Sequence, residues 1–179
     1  MRLLERLAIG VASLALSVGL IALLSGFFAA RDKPGVASAA APGVPFRDQG
    51  NALLAPGQPH PAYDSSPPTS GPHLPAAVTR DQTRLSTDQL LQALSLGDVV
   101  LVYGRPRPPA GLVALARSLS GPFSTALAAS GQAVVLDSIP GTVGYTALAW
   151  AHMTRVLSPA DPQLRAFALY WLGRGAGSR

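Results

Sequence analysis

His60 and His73 are the residues of this 179-residue chain with the most chemistry to offer. They flank a proline-rich stretch with Asp64 between them, and two imidazoles beside a carboxylate can take copper or zinc. A histidine in such a loop has a second use, which is to donate a hydrogen bond to backbone and pin the loop's shape. Both uses stay open for His60 and His73. A hydrolytic triad of Ser70, His73 and Asp64 is disfavoured, because residues so near in sequence reach the relay geometry only where the loop doubles back. No G-x-S-x-G elbow is present either. The chain has no cysteine, which removes disulfides, thiol catalysis, zinc-thiolate sites and an acylated anchor. Glu5 is the single glutamate, so the commonest raised-pKa acid is missing from the rest of the chain. Asp98 and Asp137 stand alone on or beside expected strands and read as edge or turn residues. His152, beside Met153, reads as a surface or edge histidine. With no P-loop and no G-x-G-x-x-G, no cofactor is expected beyond copper or zinc on His60 and His73.

Residues 63–73 read Tyr-Asp-Ser-Ser-Pro-Pro-Thr-Ser-Gly-Pro-His. Each proline restrains the residue before it to extended geometry, and Gly71 supplies backbone conformations barred to other residues. The Thr69 and Ser70 hydroxyls can bond neighbouring backbone and fix the turn. The expectation is a stiff, ordered loop. It is either a binding loop formed by Tyr63, Pro67, Pro68, Thr69, Ser70, Gly71 and Pro72, or a cover over one face of a sheet.

This stretch resembles the signature Y-x-x-x-P-P-T-S-G-P-H of a bacterial family, domain of unknown function 3105. The similarity extends over residues 60–173. It takes in the segment closed by Gly97, the run 99–103, the Ala149-Trp150 pair and the surroundings of Phe167. The resemblance implies an extracytoplasmic domain of unknown function. Members typically carry H-x-x-E-H-G, in which histidines four apart share a helix face and can hold a metal. Aligned on Gly97, this chain has Gln92, Ser95 and Leu96 at those three places. The resemblance therefore implies that any metal or catalytic centre of relatives has been dismantled here.

The elements that position the loop follow from pattern. Ser86-Thr-Asp-Gln89 is a capping box, Leu90, Leu91 and Leu94 share a helical face, and Gly97 closes the helix. Residues 98–103 form a continuous apolar run, fit for a strand covered on both faces. A second helix is expected over 110–119 with a stripe of Leu112, Leu115, Ala116 and Leu119, stopped by Gly121-Pro122. Residues 133–139 read as a second strand turned by Pro140-Gly141, and 144–153 as a third. On that third strand Thr146, Leu148 and Trp150 fall on one side and Tyr145, Ala147 and Ala149 on the other. Residues 159–162 break the chain, and a last helix over 163–172 points Leu164, Phe167, Ala168 and Trp171 inward. The order helix-strand-helix-strand-strand-helix describes an α/β domain, a small single sheet with packed helices.

Ahead of that domain, residues 7–30 hold no charge over 24 positions. As a helix they span about 36 Å, enough for a hydrocarbon core of about 30 Å. An uncleaved transmembrane anchor is the expectation, and a cleaved secretory signal the alternative. The chain then divides into an anchor (1–30), an Ala/Pro/Gly-rich stalk (31–56), an extracytoplasmic domain (57–175) and a tail (176–179). The plasma membrane is the expected location, single-pass, with the domain outside the cytoplasm. Net charge is +5, from thirteen arginines and one lysine against nine acids. The arginines are scattered rather than striped among aromatics, which argues against nucleic acid as a partner. The expected partners are the lipid bilayer, through residues 7–30, and an envelope protein or component. The expected function is that of a non-catalytic interaction module, with metal binding by His60 and His73 as the alternative.

Overall fold

A computed structural model describes residues 41–177. The expected membrane anchor lies outside the described residues, and no helix among the described residues is long and apolar enough to cross a membrane. One sheet of five strands organises the domain, in the order β1-β5-β4-β2-β3. The strands are β1 (Val44–Pro45), β2 (Val99–Tyr103), β3 (Val134–Ser138), β4 (Tyr145–Ala149) and β5 (His152–Val156). The helices are α1 (Thr87–Leu96), α2 (Ala110–Ser120), α3 (Thr125–Ala129) and α4 (Pro162–Trp171).

Strand β2 explains the layering. Its five residues, Val-Val-Leu-Val-Tyr, are buried throughout, so neither face of the sheet can meet water there. Alternate residues then serve opposite cores. Val100 and Val102, with Leu148 and Trp150, pack under Leu90, Leu91 and Leu94 of α1 and Ala128 of α3. Val99, Leu101 and Tyr103, with Tyr145, Ala147 and Ala149, pack under Leu112 of α2 and Leu164, Phe167 and Ala168 of α4. The result is three layers, with helices on each side of the sheet.

Helix α1 begins and ends where its sequence directs. Ser86 Oγ accepts the Gln89 N–H at 3.1 Å while Gln89 Oε1 accepts the Ser86 N–H at 3.1 Å. At the other end Gly97 adopts φ +115 and donates its N–H to Ala93 and Leu94. A Cβ there would stand 2.9 Å from the Gly173 carbonyl carbon, so both conformation and contact require glycine.

Two expectations need correction. Residues 144–153 do not form one strand. The chain reverses at Trp150-Ala151, and β4 pairs antiparallel with β5 from Tyr145↔Val156 to Ala149↔His152. The local sequence carries no glycine, proline or asparagine to announce that turn, and Ala151 takes φ +56. Two distant backbone bonds hold it: Phe46 N–H donates to Ala151 O at 2.8 Å, and Ala151 N–H to Thr69 O at 2.9 Å. The second correction concerns the segment expected as stalk. Its described part joins the sheet, where Val44 pairs with Met153 and Pro45 with His152 as β1. The Trp171 Nε1–H donates to Pro42 O at 2.9 Å from the other side. The alternation in this segment is too short to signal a strand, which exists only because β5 offers it an open edge.

Candidate functional site

The proline-rich loop is built from the inside out. Thr69, Ser70 and His73 are each 0 % exposed, unusual for polar loop residues, and each side chain has a hydrogen-bond partner. Thr69 N–H donates to Ser65 Oγ at 3.0 Å. Ser70 Oγ donates to Arg47 O and accepts the Gln49 N–H, both at 3.1 Å. Tyr63 closes the loop over its own far end by donating from Oη to Pro72 O at 2.8 Å. Gly71, at φ +129, lies under that ring, and an added Cβ would sit 2.7 Å from Tyr63 Cε1. The loop is thus ordered and covers the sheet at the Trp150-Ala151 turn, where Thr69 O accepts the Ala151 N–H.

His60 and His73 each bond a protein group through one ring nitrogen. His60 Nε2 donates to Asp88 Oδ1 at 2.7 Å, a charge-assisted bond in the first turn of α1. His73 is buried, with Nδ1 2.9 Å from Gly71 O. A carbonyl only accepts, so Nδ1 carries a proton, while Nε2 has no hydrogen-bond partner. Asp88 also accepts the Leu74 N–H at 2.7 Å. Burial opposes ionisation of Asp88, but the bonds from His60 and Leu74 and the fields of His60 and His73 outweigh it and hold the carboxyl below its usual range. The Asp64 backbone N–H donates to Gln49 Oε1 at 3.2 Å. Ser70 and His73 bond backbone rather than each other. Among the described residues no group of three or more His, Asp or Glu is placed to hold a metal ion.

The loop instead frames a cleft. Ser66, Pro67 and Pro68 form one wall of a hollow of about 570 Å³, opposite Ser86 and Thr87 at the start of α1. Its floor is a row across the sheet. Asp137 of β3 pairs with Val102 of β2, Val102 with Thr146 of β4, and Thr146 with Arg155 of β5. Directly opposed residues share a face, so the row sets an acid at one end and a guanidinium at the other. Arg155 Nη2 donates to Ser66 O at 2.7 Å and so ties the floor to the wall. Asp137 is 1 % exposed and its Oδ1 accepts the Leu85 N–H at 2.9 Å. Burial raises its pKa, against opposing effects of the Leu85 N–H and the Arg84 charge.

Gln92 and Leu96, at the positions of the family histidines, lie one and two turns beyond Asp88 and border a different hollow, while Ser95 Oγ turns back to donate to Gln92 O. Asp98 and Asp137, expected as edge or turn residues, are instead buried. Asp98 ties the start of β2 to β3, with Oδ1 accepting the Ala133 N–H at 2.8 Å. An acid just before or within an apolar run was the available signal, since only a specific partner makes such burial tolerable. His152 is half-buried at the head of β5, its ring 3.9 Å from that of Trp171.

No curated protein and no solved structure matches the chain. The family described as Protein of unknown function (DUF3105) does match, over residues 58–175, a stretch that contains both the loop and the cleft it walls, and the chain belongs to that family.

Proposed function

We propose that this protein is a membrane-tethered, extracytoplasmic interaction module that engages an envelope component through the cleft under the signature loop. The observation that carries the reading is the placement of Ser66, Pro67 and Pro68, residues of the most specific segment of the sequence, as the wall of that cleft. Such a wall is expensive to build by chance, because it depends on three fully buried polar residues behind it. The floor offers Asp137, Thr146 and Arg155 in fixed register, a pattern that selects a polar ligand by charge and hydrogen bonding. No histidine or cysteine is among the residues bordering the cleft, and Asp137, the one carboxylate among them, is 1 % exposed and accepts the Leu85 N–H, which favours recognition over proton-transfer chemistry. Tethering rests on the uncharged run of residues 7–30.

The test places a photo-crosslinking amino acid at Val143, an exposed residue on the cleft's rim, in the full chain in its native membrane. The expected result is one discrete adduct, lost on Arg155→Ala. Adducts that are diffuse or indifferent to Arg155→Ala would rule the cleft out. Carbonate extraction addresses the tether, since the full chain should stay with the membrane and a chain lacking residues 1–30 should not. One observation favours a second reading. The Nε2 of buried His73 has no hydrogen-bond partner, and the next residue, Leu74, donates its N–H to Asp88, the carboxylate that His60 bonds. Copper or zinc titration reads this out directly, and binding lost in both His60→Ala and His73→Ala would establish it.

A further inference from the structure

A second hollow, of about 750 Å³, lies along the C-terminal half of α1 against α3, away from the loop cleft. Most of its lining is short and apolar, drawn from Pro75, Ala77 and Val78, from Leu96 of α1, and from Ala126 and Ala129 of α3. Small side chains along it leave room for a body that the described residues do not supply. Asp98 borders this hollow and is the one titratable residue to do so. It is 1 % exposed, and while Oδ1 takes the Ala133 N–H, Oδ2 has no hydrogen-bond partner. Leaving a buried carboxylate oxygen unpaired costs about 1–3 kcal/mol or more, and the described residues provide no donor to relieve it. Gln92 borders the same hollow, and its side-chain amide takes no partner among the described residues.

A buried, unpartnered carboxylate oxygen beside a half-buried amide, at the edge of a mostly apolar hollow whose other polar lining is Thr79 and Thr125, defines a ligand by complement. The ligand must donate hydrogen bonds, carry positive charge to match Asp98, and present an apolar body to the alanine walls. We propose that this hollow binds a small organic cation, a primary ammonium on a compact apolar body, with the ammonium on Asp98 Oδ2 and Gln92 Oε1. A primary ammonium has three N–H donors, enough for both acceptors. Burial pushes the Asp98 carboxyl up to about 7, with the Ala133 N–H opposing and no charged side chain contributing. The seated ammonium supplies the missing counter-charge, so its binding strengthens as pH rises and Asp98 ionises. This site is separate from the loop cleft and stands whether or not that cleft is used.

The experiment titrates the full chain in lipid nanodiscs with benzylammonium and with benzyl alcohol, which has the same body and a neutral head. Empty nanodiscs correct for uptake by lipid. At pH 8 benzylammonium should bind saturably and roughly tenfold or more tightly than the alcohol, the ratio expected of one charge-assisted hydrogen bond. The preference should shrink at pH 5. Asp98→Asn should abolish it while leaving the alcohol's affinity in place. Ala126→Phe, at an exposed position of α3 on the cavity wall, should block both probes and decides the matter if Asp98→Asn does not fold. Equal affinity for the two probes, no saturable binding of either, a preference that survives Asp98→Asn, or binding undiminished by Ala126→Phe would each overturn the assignment.

Discussion

At the residue scale the informative contrast is between Asp88 and Asp98, two carboxylates on either end of α1 with opposite relations to pH. Asp98 has its folded-state pKa raised to about 7 from 3.8, so the folded chain holds that proton more tightly than the unfolded chain does. Its contribution to stability is therefore largest in acid and falls as pH rises between about 4 and 7. Asp98→Asn keeps an oxygen for the Ala133 N–H and cannot ionise. Relative to the parent, the variant should gain on the order of 2–4 kcal/mol between pH 4 and pH 8. Urea midpoints at the two pH values measure it, and a parent-to-variant difference that does not move with pH would contradict the burial argument. Asp88 runs the other way. Its folded-state pKa is lowered, so its contribution is present above the ordinary carboxylate range and fades as acid protonates the folded form. Asp88→Asn should cost about 1–2 kcal/mol at neutral pH, the worth of hydrogen bonds to a charged acceptor, and the cost should vanish in strong acid.

At the scale of elements, α1 and the signature loop each depend on one glycine. Gly97→Ala combines a left-handed φ with a Cβ 2.9 Å from the Gly173 carbonyl carbon and should lower stability by about 2 kcal/mol or more, measured by thermal or urea unfolding. Gly71→Ala should instead displace the Tyr63 ring, readable as lost protection of the loop amides in hydrogen exchange, because the clash there is with a side chain. Helix α1, the run at 99–103 and the closing helix were legible in the sequence because their signals are local: a capping box, an uninterrupted apolar run, a 3.6-residue stripe. The turn at Trp150-Ala151 was not legible, since bonds from Phe46 and to Thr69 fix it rather than its own residues. The short helix α3 was missed for a related reason, its single turn being capped by Ser124 but too brief to show a period. In the candidate site the loop was visible by its prolines and glycine. Asp88 was not, because its meaning comes from His60, 28 residues earlier, and from the Leu74 N–H.

At the scale of the whole molecule, the segment that leads into the domain also completes it. Strand β1 covers the outer edge of β5, and Phe46 binds the turn that Thr69 of the signature loop binds from the other side. Trp171 of α4 holds Pro42, so the closing helix meets the start of the described chain. A segment with so little regular structure has its effect through position, because an uncovered strand edge offers unpaired N–H and C=O groups to any other chain. Replacing residues 42–46 by a Gly-Ser stretch of equal length in the full chain should therefore do two things. It should lower the unfolding free energy by about 1–3 kcal/mol, the worth of a few backbone hydrogen bonds and one aromatic contact. It should also promote self-association, visible as a concentration-dependent rise in light scattering. The loop should register the same change as faster exchange of the Ala151 and Thr69 amides, since the turn they share would be held from one side only. Unchanged exchange there would mean that β1 lies on the sheet without bracing the site.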